Sequence, residues 1–574
     1  MHVNYSMVAG TSSRLGCMRA PLAAAVALCL AGAAQAATIT VTDSRGDPAN
    51  PNDSTCSLPD AVAALNLAAH FGGCAAGDGN NDRIVLSFGT TMTTIQFVVP
   101  SASDNNSALS ISKPVSIVGA SDASHNPLIT LTRSTVSGTP NFRLLSTSGN
   151  LSIDGVAFTN GSVVESGGAV RAIGYATLSL SNSKVNSNSA VVSGGGVAVD
   201  CGALSLYRST VSANSASKNG GGIYVSDYIK GTNGGSTCKN TTLSIARSTI
   251  SNNTVTVGSG GGIFSFNGYA TVSNSMIIGN TTQVLGGGVY AYKGVDLNAS
   301  TISNNTGTTG AGGGVWSYKV TTSGGSSTVS GNTTSSGGGG IYAYTTQLSG
   351  ITVSNNTSTS GAGGIQVLND ATLVNSTIAD NSSGDCECQA TGGMTAGNAT
   401  VINSTFTGNF GGYFGYGALD ATDMYLYFNT IVANTAMPVN DRAGGVNFSN
   451  SATMFGNIIS GNSSNDIYTF PQKAVTGAYN IVTRVGFVTL PGDTITNCSP
   501  STNLHLGPLA NNGGPTQTMA LLAGSCAINA GPGSSPLPGD VTTDQRGAPR
   551  PIGDNADIGA YELQPDQIFA NGFQ

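Results

Sequence analysis

Charged residues are scarce in this 574-residue chain: Asp, Glu, Lys and Arg make up only 9% of it. The 21 Lys and Arg residues are scattered, and the formal net charge is -7. Because binding the phosphates of a nucleic acid requires a basic stripe, this composition argues against a nucleic-acid partner. The low charge does not indicate disorder, because the apolar residues recur in register, whereas a disordered chain combines high charge with no period.

Long apolar runs are scarce too. The one clear stretch, residues 22–34, follows Arg14 and Arg19 and ends at the small-x-small pattern Ala34-Gln35-Ala36. The sequence therefore predicts a cleaved export signal over residues 1–36, with Met1 or Met18 as the initiator. No other run approaches the roughly 20 residues that a membrane helix needs. We expect a mature protein with no transmembrane segment, located extracellularly or on the outer-membrane surface.

The chain has only four histidines, and we predict neither a metal nor a cofactor. Removing the signal leaves eight cysteines, and an even number in an exported protein favours disulfides. Proximity in the sequence predicts the pairs Cys56–Cys74, Cys201–Cys238 and Cys498–Cys526. Cys386 and Cys388 have one residue between them, so a disulfide there would be strained, and a metal site is the alternative.

The most prominent feature of the chain is a regular sequence repeat. One asparagine recurs every 24 to 28 residues, at Asn160, Asn188, Asn214, Asn253, Asn280, Asn305, Asn332, Asn356, Asn381, Asn409, Asn434 and Asn462. Only the interval from Asn214 to Asn253 differs, because its 39 residues contain an insertion of about thirteen. A fixed period of this size, carried by short β-type segments and turn residues, predicts a solenoid in which each repeat is one rung.

Each rung contains three short apolar segments. Glycine clusters precede one column of residues, Ile223, Ile263, Val289, Val315 and Ile341, and a second column contains Ile250, Ile302, Val329, Val353 and Ile378. Alternation places both columns inward. A third segment has the form Leu204-Ser205-Leu206. Three short strands in about 26 residues predict an all-β, single-stranded right-handed parallel β-helix, with the asparagines bonding the rungs above and below at one corner.

The repeats resemble those of polymorphic outer membrane proteins, through motifs such as Phe406-Thr407-Gly408-Asn409 and Gly167-Gly168-Ala169-Val170. The segment Thr55-Cys56-Ser57-Leu58-Pro59-Asp60-Ala61 resembles a CSLREA-type N-terminal module, with Pro59 and Asp60 replacing the usual Arg-Glu. The choice-of-anchor Q ending of bacterial surface proteins is similar to Leu506-Gly507-Pro508-Leu509, Asn512-Gly513-Gly514-Pro515-Thr516, Asp544-Gln545-Arg546-Gly547 and Asp557-Ile558-Gly559-Ala560-Tyr561-Glu562. These resemblances imply a pectate-lyase-like β-helix that is exported or surface-associated, and for most such proteins no known reaction.

Both ends of such a solenoid need covering, because an end rung exposes apolar area and unpaired strand groups. Ser57 as N-cap with Asp60 three residues on predicts a short capping helix. The charged cluster Asp544, Arg546, Arg550, Asp557 and Glu562 predicts a C-terminal ion-pair cap, with a catalytic role as the alternative. We predict an N-terminal cap and first coils over 37–150, repeats over 151–465, last coils and cap over 466–563, and a tail over 564–574.

Aromatic residues follow the glycine clusters in consecutive rungs. They are predicted to form two exposed columns, Tyr224, Phe264, Tyr290, Trp316 and Tyr342 in the first, and Phe266, Tyr292, Tyr318 and Tyr344 in the second. Exposed aromatic strips stack on sugar faces, so these nine residues are the predicted ligand site. Lys293 and Lys319 beside them could contact acidic groups on a glycan. The alternative is that like residues stack only to stabilise the sheet.

Carboxylates that could serve catalysis are few. The one local concentration contains Asp370, Asp380, Asp385, Glu387, Asp420 and Asp423, either as an acid pair or cation site or as solvated turn residues. The signatures of pectin hydrolases and an Arg-rich lyase strand are not recognisable, so no catalytic residue is predicted. We predict an exported, monomeric, non-catalytic binding or adhesion scaffold that contacts polysaccharide or cell-surface glycan. The alternative is a polysaccharide lyase or glycoside hydrolase working on one face.

Overall fold

The computed structural model describes residues 36–564 except 228–237, 239–240, 385–389, 438–441 and 534–536. Nearly all of the predicted signal segment and of the predicted tail therefore lies outside the described residues. The Cys386–Cys388 pair, Asp385 and Glu387 lie outside them as well. The predicted domain boundaries stay predictions.

The described chain winds as a right-handed parallel β-helix, which confirms the predicted fold class. Each turn contributes strands to three parallel sheets of 25, 15 and 11 strands, called here the wide, middle and narrow sheets. The wide sheet receives two strands from most turns, and in several later turns these fuse into one long strand such as Val315–Thr322. The only helices among the described residues are the α-helix Leu58–Leu67 and the 3-10 helix Pro538–Asp540.

The strands of the wide sheet are Thr38–Val41, Asp82–Leu86, Ser107–Ile111, Val115–Val118, Arg143–Thr147, Leu151–Asp154, Val170–Ala172, Leu178–Ser181, Val197–Asp200, Ala203–Tyr207, Ile223–Ser226, Thr242–Ala246, Ile263–Ser265, Tyr269–Ser273, Val289–Ala291, Gly294–Asn298, Val315–Thr322, Ile341–Ser349, Ile365–Val367, Asp370–Val374, Met394–Ile402, Leu419–Tyr427, Ala443–Phe455, Asn465–Ala478 and Val485–Thr489. Those of the middle sheet are Thr93–Phe97, Ile129–Arg133, Val156–Thr159, Lys184–Asn186, Thr210–Ser212, Thr249–Ser251, Met276–Ile278, Thr301–Ser303, Ser327–Ser330, Ile351–Ser354, Thr377–Ala379, Thr405–Thr407, Thr430–Val432, Ile458–Ser460 and Ile481–Val482. Those of the narrow sheet are Ser162–Val163, Ser189–Ala190, Ser215–Ala216, Thr254–Val255, Thr281–Thr282, Thr306–Gly307, Thr333–Ser336, Thr357–Ser360, Ser382–Ser383, Phe410–Gly411 and Thr435–Ala436. An antiparallel pair, Leu506–Ala510 and Thr518–Leu521, follows the last turn.

The core is a stack of identical positions. Ile263 pairs with Ile223 below and Val289 above, and the wide-sheet column predicted as inward is fully buried. The column through Ile250 and Ile302 in the middle sheet is buried in the same way. A one-residue shift in strand pairing would move the inward side chains of a strand to the outer face. The regular buried column therefore fixes the register of every rung.

The asparagine ladder is confirmed from Asn188 to Asn462. Within it, Asn280 Nδ2 donates to Asn305 Oδ1 at 3.0 Å and to the Ile250 carbonyl at 3.0 Å, while Asn280 N donates to Asn305 Oδ1 at 2.9 Å. The ladder ends on Asp466, whose Oδ1 accepts from Asn462 Nδ2 at 3.0 Å. Every amide in this buried corner therefore has partners, which avoids the cost of an unpaired buried polar group.

Asn160 does not belong to the ladder, so that part of the prediction is wrong. Gly161 occupies the ladder position and donates its N–H to Asn188 Oδ1 at 2.9 Å. Asn160 lies one residue earlier, at a corner where its φ is 61°. Asparagine is one of the few residues that adopt this left-handed conformation readily, so a shift of one position still selects the same residue type.

A second ladder, which the sequence analysis missed, lies at the corner between the wide and middle sheets. Its members are Ser183, Ser209, Ser248, Ser275, Ser300, Ser327, Ser376, Ser404, Asn429, Asn457 and Asn480. Ser300 is typical: its hydroxyl accepts from Ser275 N at 3.2 Å and donates to the Asn298 carbonyl at 2.8 Å. Serine is frequent throughout the repeats, so this column does not stand out in the sequence.

The N-terminal end of the solenoid is covered by the predicted helix. The helix Leu58–Leu67 buries Leu58 and Leu65 against the first turns, and the Ser57 hydroxyl accepts from Asp60 N at 3.3 Å as its N-cap. The structure contains the disulfides Cys56–Cys74, Cys201–Cys238 and Cys498–Cys526, which are the three predicted pairs. The first of them fastens the segment that carries the helix.

The C-terminal segment from Leu506 lies along the outward face of the middle sheet as a strap, so it is more than an end cap. Its Gln545 Oε1 accepts from the Thr405 hydroxyl at 2.6 Å, across 140 residues of sequence. The predicted charged cluster pairs internally, with Arg546–Asp544 at 2.7 Å and Arg550–Glu562 at 2.9 Å. Burial raises the pKa of Glu562 to about 6, against the effect of Arg550. These buried pairs favour the structural role over the catalytic alternative.

Candidate functional site

One outward row of the wide sheet runs the length of the repeats, and we call it the front row. In register along it lie Arg171, Ala198, Tyr224, Phe264, Tyr290, Trp316, Tyr342, Gln366, Thr395, Asp420, Asn447 and Tyr468. Backbone pairing places successive members about 4.8 Å apart. The first predicted aromatic column is thus the middle part of a longer row that continues to Asp420, Asn447 and Tyr468.

The rings of the first aromatic column stack face to face. Phe264 and Tyr290 have centroids 4.6 Å apart and planes within 4°, and Tyr290 and Trp316 have centroids 4.5 Å apart and planes within 3°. Each ring covers the face of the next. Phe264 and Tyr290 are therefore only 9% exposed, so the prediction of an exposed first column is wrong for them. Tyr224, Trp316 and Tyr342 are half-buried, and burial raises the pKa of Tyr290 to about 12.

The second column is the accessible one. Phe266 is half-buried, while Tyr292, Tyr318 and Tyr344 are exposed by 43%, 51% and 39%. Tyr318 stacks on Tyr344 at 4.7 Å between centroids, and Phe266 lies 5.1 Å from Tyr292. These tyrosines leave ring surface and hydroxyl groups available to a ligand beside the front row.

A cleft of about 420 Å³ opens where the front row reaches Asp420. Its walls include Thr395, Tyr416, Asp420, Arg442, Asn447 and Tyr468. The pairing register shifts here, between Ala421 and Asp423 and again after Asn447. Extra residues of this kind bend a strand and re-aim its side chains, so the irregular pairing accounts for a recess on an otherwise flat sheet.

Asp420 is the acidic group of the cleft. Its Oδ1 accepts a 2.6 Å hydrogen bond from Asn447 Nδ2. Burial raises the pKa of Asp420 to about 6, and the bond from Asn447 and the charge of Arg442 oppose this shift. A carboxyl with this pKa changes its charge in the mildly acidic range, which makes it a candidate functional group.

Arg442 is the cationic group of the cleft. Its Nη1 donates to the Tyr416 hydroxyl at 2.7 Å, and its guanidinium lies 5.2 Å from the centre of that ring and 5.6 Å from Phe414. Among the described residues no carboxylate lies within ion-pair distance of it. Phe470, 70% exposed, stands at the rim. The cleft therefore offers a hydrogen-bond acceptor, several donors and an aromatic surface.

The other described acids of the predicted group, Asp370, Asp380 and Asp423, do not converge on this cleft. Asp370 and Asp423 both pair in register with Asn398, which separates them by two rungs. Hydrogen bonds from Ser451 and Asn450 hold the pKa of Asp423 below its usual value. Asp380 lies at the corner beyond the middle sheet, with φ 55°. Of the four described members of the predicted group, Asp420 alone lines the cleft, and it lies beside Arg442 and Asn447, which the sequence did not single out. Aligning the sequences of the rungs as far as Asn447 would have placed Asp420 and Asn447 in the column of Trp316.

No group of three or more His, Cys, Asp or Glu is placed to hold a metal ion in the described part of the chain. No helix within the described ranges is long and apolar enough to cross a membrane.

Comparison with known proteins adds the fold family. The profile of the family described as "Right handed beta helix region" matches residues 282–431 and 318–483. Searches of curated proteins and of solved structures each found no significant match. The matched range covers repeats and neither terminal segment, so the resemblance of those segments to the CSLREA-type and choice-of-anchor Q modules stays a prediction. The profile match over this central part of the chain and the parallel three-sheet solenoid together show the right-handed β-helix fold.

Proposed function

We propose that this protein is an exported binding scaffold that holds a polysaccharide along the front row, with one sugar residue in the Asp420 cleft. The observation that carries the proposal is the continuity of the cleft with the exposed tyrosines beside the row. From Tyr290 to Asp420 there are five steps along the sheet, or roughly 24 Å. That length suits an oligosaccharide better than a single small molecule.

The chemistry of the cleft suits a sugar. Sugar hydroxyls both donate and accept hydrogen bonds, and Asp420 accepts while Asn447 and Arg442 donate. Aromatic surface packs against the apolar face of a pyranose ring, and Phe470 at the rim supplies it. A few convergent polar groups against an aromatic wall are typical of small-ligand sites. Export and a surface location belong to the same proposal and are supported by the predicted signal segment.

Hydrolysis is the second candidate, because a carboxyl with a pKa of about 6 is suited to general-acid catalysis. Most glycoside hydrolases need a second carboxyl group about 5 to 9.5 Å from the first. The described lining of the cleft contains no acid other than Asp420. We therefore place binding ahead of catalysis. Release of reducing ends from a bound glycan by the wild type, and not by Asp420→Asn, would reverse that order.

Trp316 makes the proposal testable without a label. It is the only tryptophan of the chain and lies in the front row, so its emission reports ligands there. A glycan array with the mature protein would select ligands, and titration of the best one would give an affinity. We expect Asp420→Ala and the double variant Tyr318→Ala/Tyr344→Ala each to weaken binding at least tenfold.

Tyr425→Ala is the matched control. Tyr425 is 42% exposed, much like Tyr344, and lies on the wide sheet outside the front row. Its removal should leave the affinity within twofold of the wild type. Equal binding by all variants, or no glycan bound by any, would reject the proposed site.

A further inference from the structure

A second polar recess lies on a different side of the solenoid, at the corner between the wide and middle sheets. It has a volume of about 350 Å³ and is lined by His125, Lys184, Arg208, Arg247, Thr210 and Thr249 among others. We call it the arginine corner. It shares no lining residue with the front row or the Asp420 cleft.

The backbone at this corner selects particular residues. In successive rungs the corner residue has positive φ, as at Asn182 (46°) and Asn274 (49°), and Gly350 (63°) and Asn375 (50°) repeat the pattern further along. Glycine and asparagine are the residues that adopt this conformation routinely, because a larger side chain crowds the following carbonyl. The geometry of the corner therefore predicts Asn or Gly in every rung.

Ala299 (φ 46°) and Tyr479 (φ 56°) depart from this rule, and so do Arg208 and Arg247. The two arginines occupy the corner in two consecutive rungs, with φ of 48° and 52°, directly between Asn182 and Asn274. Phe428, which breaks it further along, is fully buried beneath Arg550 of the strap, so packing explains that residue. The two arginine side chains are exposed, and the Arg208 guanidinium lies 5.2 Å from the centre of the Tyr207 ring.

The two arginines carry like charges on neighbouring rungs. Arg208 N donates to the Ala246 carbonyl and Arg247 N to the Ser273 carbonyl, which fixes the two residues one rung apart. Lys184 adds a third cation to the recess. Within the described ranges no carboxylate lies at ion-pair distance from any of the three.

Asp122 and His125 lie beside these cations. Asp122 contributes a negative charge near Lys184, and hydrogen bonds from Asn126 hold its pKa below the usual value, so it stays ionised and offsets part of the positive charge. Arg208 Nη1 donates to His125 Nε2 at 3.2 Å, which holds the guanidinium at the recess. Three cations thus converge on one recess of a protein whose net charge is -7.

We propose that the arginine corner binds a tetrahedral oxyanion, the phosphate or sulfate group of a free ion or of a sugar ester. Guanidinium groups present paired N–H donors that match such an oxyanion, and two of them with Lys184 offset its double charge. The hydroxyls of Thr210 and Thr249 supply further donors at the same recess. This site is independent of the glycan cleft, and either one can exist without the other.

Isothermal titration at low ionic strength tests the proposal with four probes: inorganic phosphate, inorganic sulfate, glucose 6-phosphate and glucose 6-sulfate. Acetate serves as the planar monoanion for comparison. The key variant is Arg208→Asn/Arg247→Asn, because asparagine suits the left-handed corner and the variant should fold with an unchanged or higher Tm. We expect its affinity for the tetrahedral probes to fall at least tenfold.

The matched control is Lys113→Gln/Lys218→Gln, which removes two positive charges from exposed lysines that line neither the arginine corner nor the front row. It should keep its affinity within twofold. Tighter binding of the esters than of the free ions would identify a sugar ester as the ligand, and the reverse would identify a free ion. Wild-type affinity no greater than that for acetate, or an equal loss in the control variant, would overturn the proposal.

Discussion

Asp420 accepts a 2.6 Å hydrogen bond from Asn447, which occupies the equivalent position one turn further along the solenoid. In the preceding turns the same row holds stacked rings, with Tyr290 and Trp316 4.5 Å apart. One row of a repeating sheet therefore changes from aromatic stacking to a carboxyl–amide pair, at the place where the pairing becomes irregular. The repeat builds a surface, and departures from the repeat create the cleft.

The Asp420 carboxyl predicts a pH dependence of stability. Its folded pKa of about 6 lies above the ordinary 3.8, so the folded protein binds this proton more tightly than the unfolded chain does. The resulting stabilisation is complete below about pH 4 and is lost as the pH rises through about 6. The wild type minus Asp420→Asn difference in Tm should therefore fall between those pH values. Glu562 acts in the same direction, and the subtraction removes its effect. A difference independent of pH contradicts the assignment.

Substitutions in the two aromatic columns should affect different properties, stability for the first column and glycan binding for the second. Tyr290→Ala removes a ring that is 9% exposed, so we expect a loss of about 3 kcal/mol in the free energy of unfolding. Tyr318→Ala removes a ring that is 51% exposed, so the loss should stay below about 1 kcal/mol while glycan affinity falls. Urea denaturation with Trp316 emission measures the first quantity, and glycan titration measures the second. Equal stability losses would mean that both columns serve the scaffold.

The asparagine ladder predicts a large cost for a small substitution. Asn280→Ala removes the acceptor for Asn253 N and Asn253 Nδ2 and the donor to Asn305 Oδ1. Leaving these buried groups unpaired should cost about 4 kcal/mol, measured as a fall in the urea midpoint. Asn252→Gly is the control. Asn252 is the corner residue next to Asn253 of the ladder, and glycine readily adopts its φ of 53°. A similar cost in both variants would contradict the role assigned to the ladder.

The Cys201–Cys238 disulfide predicts a measurable loop-closure effect. The bond joins residues 37 apart in the sequence, next to the insertion in the repeats. Cys201→Ser/Cys238→Ser should lower the free energy of unfolding by about 4 kcal/mol, because the unfolded chain gains freedom. Peptide mapping without reductant should recover the three pairs of the structure. Recovery of free Cys238 in the native protein would contradict this pairing.

Much of the fold follows from the sequence because each rung obeys the same local rules. Ile263 and Val289 must point inward if the strands alternate, and Asn280 must meet Asn305 if the rungs stack. A period repeated many times averages out local ambiguity, so the core columns, the ladder and the solenoid are all predictable. The disulfide pairs follow as well, since each joins neighbouring parts of one winding chain.

Only the tertiary structure decides where the solenoid departs from its repeat. Whether Phe264 is exposed depends on the ring in the next rung, which covers its face. The recess around Asp420, with Arg442 and Phe470 in its walls, depends on shifts in strand pairing that leave no local signal. The contact of Gln545 with Thr405 joins residues 140 apart. Local periodicity determines the scaffold, whereas side-chain exposure and the candidate site depend on contacts between turns, which one rung's sequence does not contain.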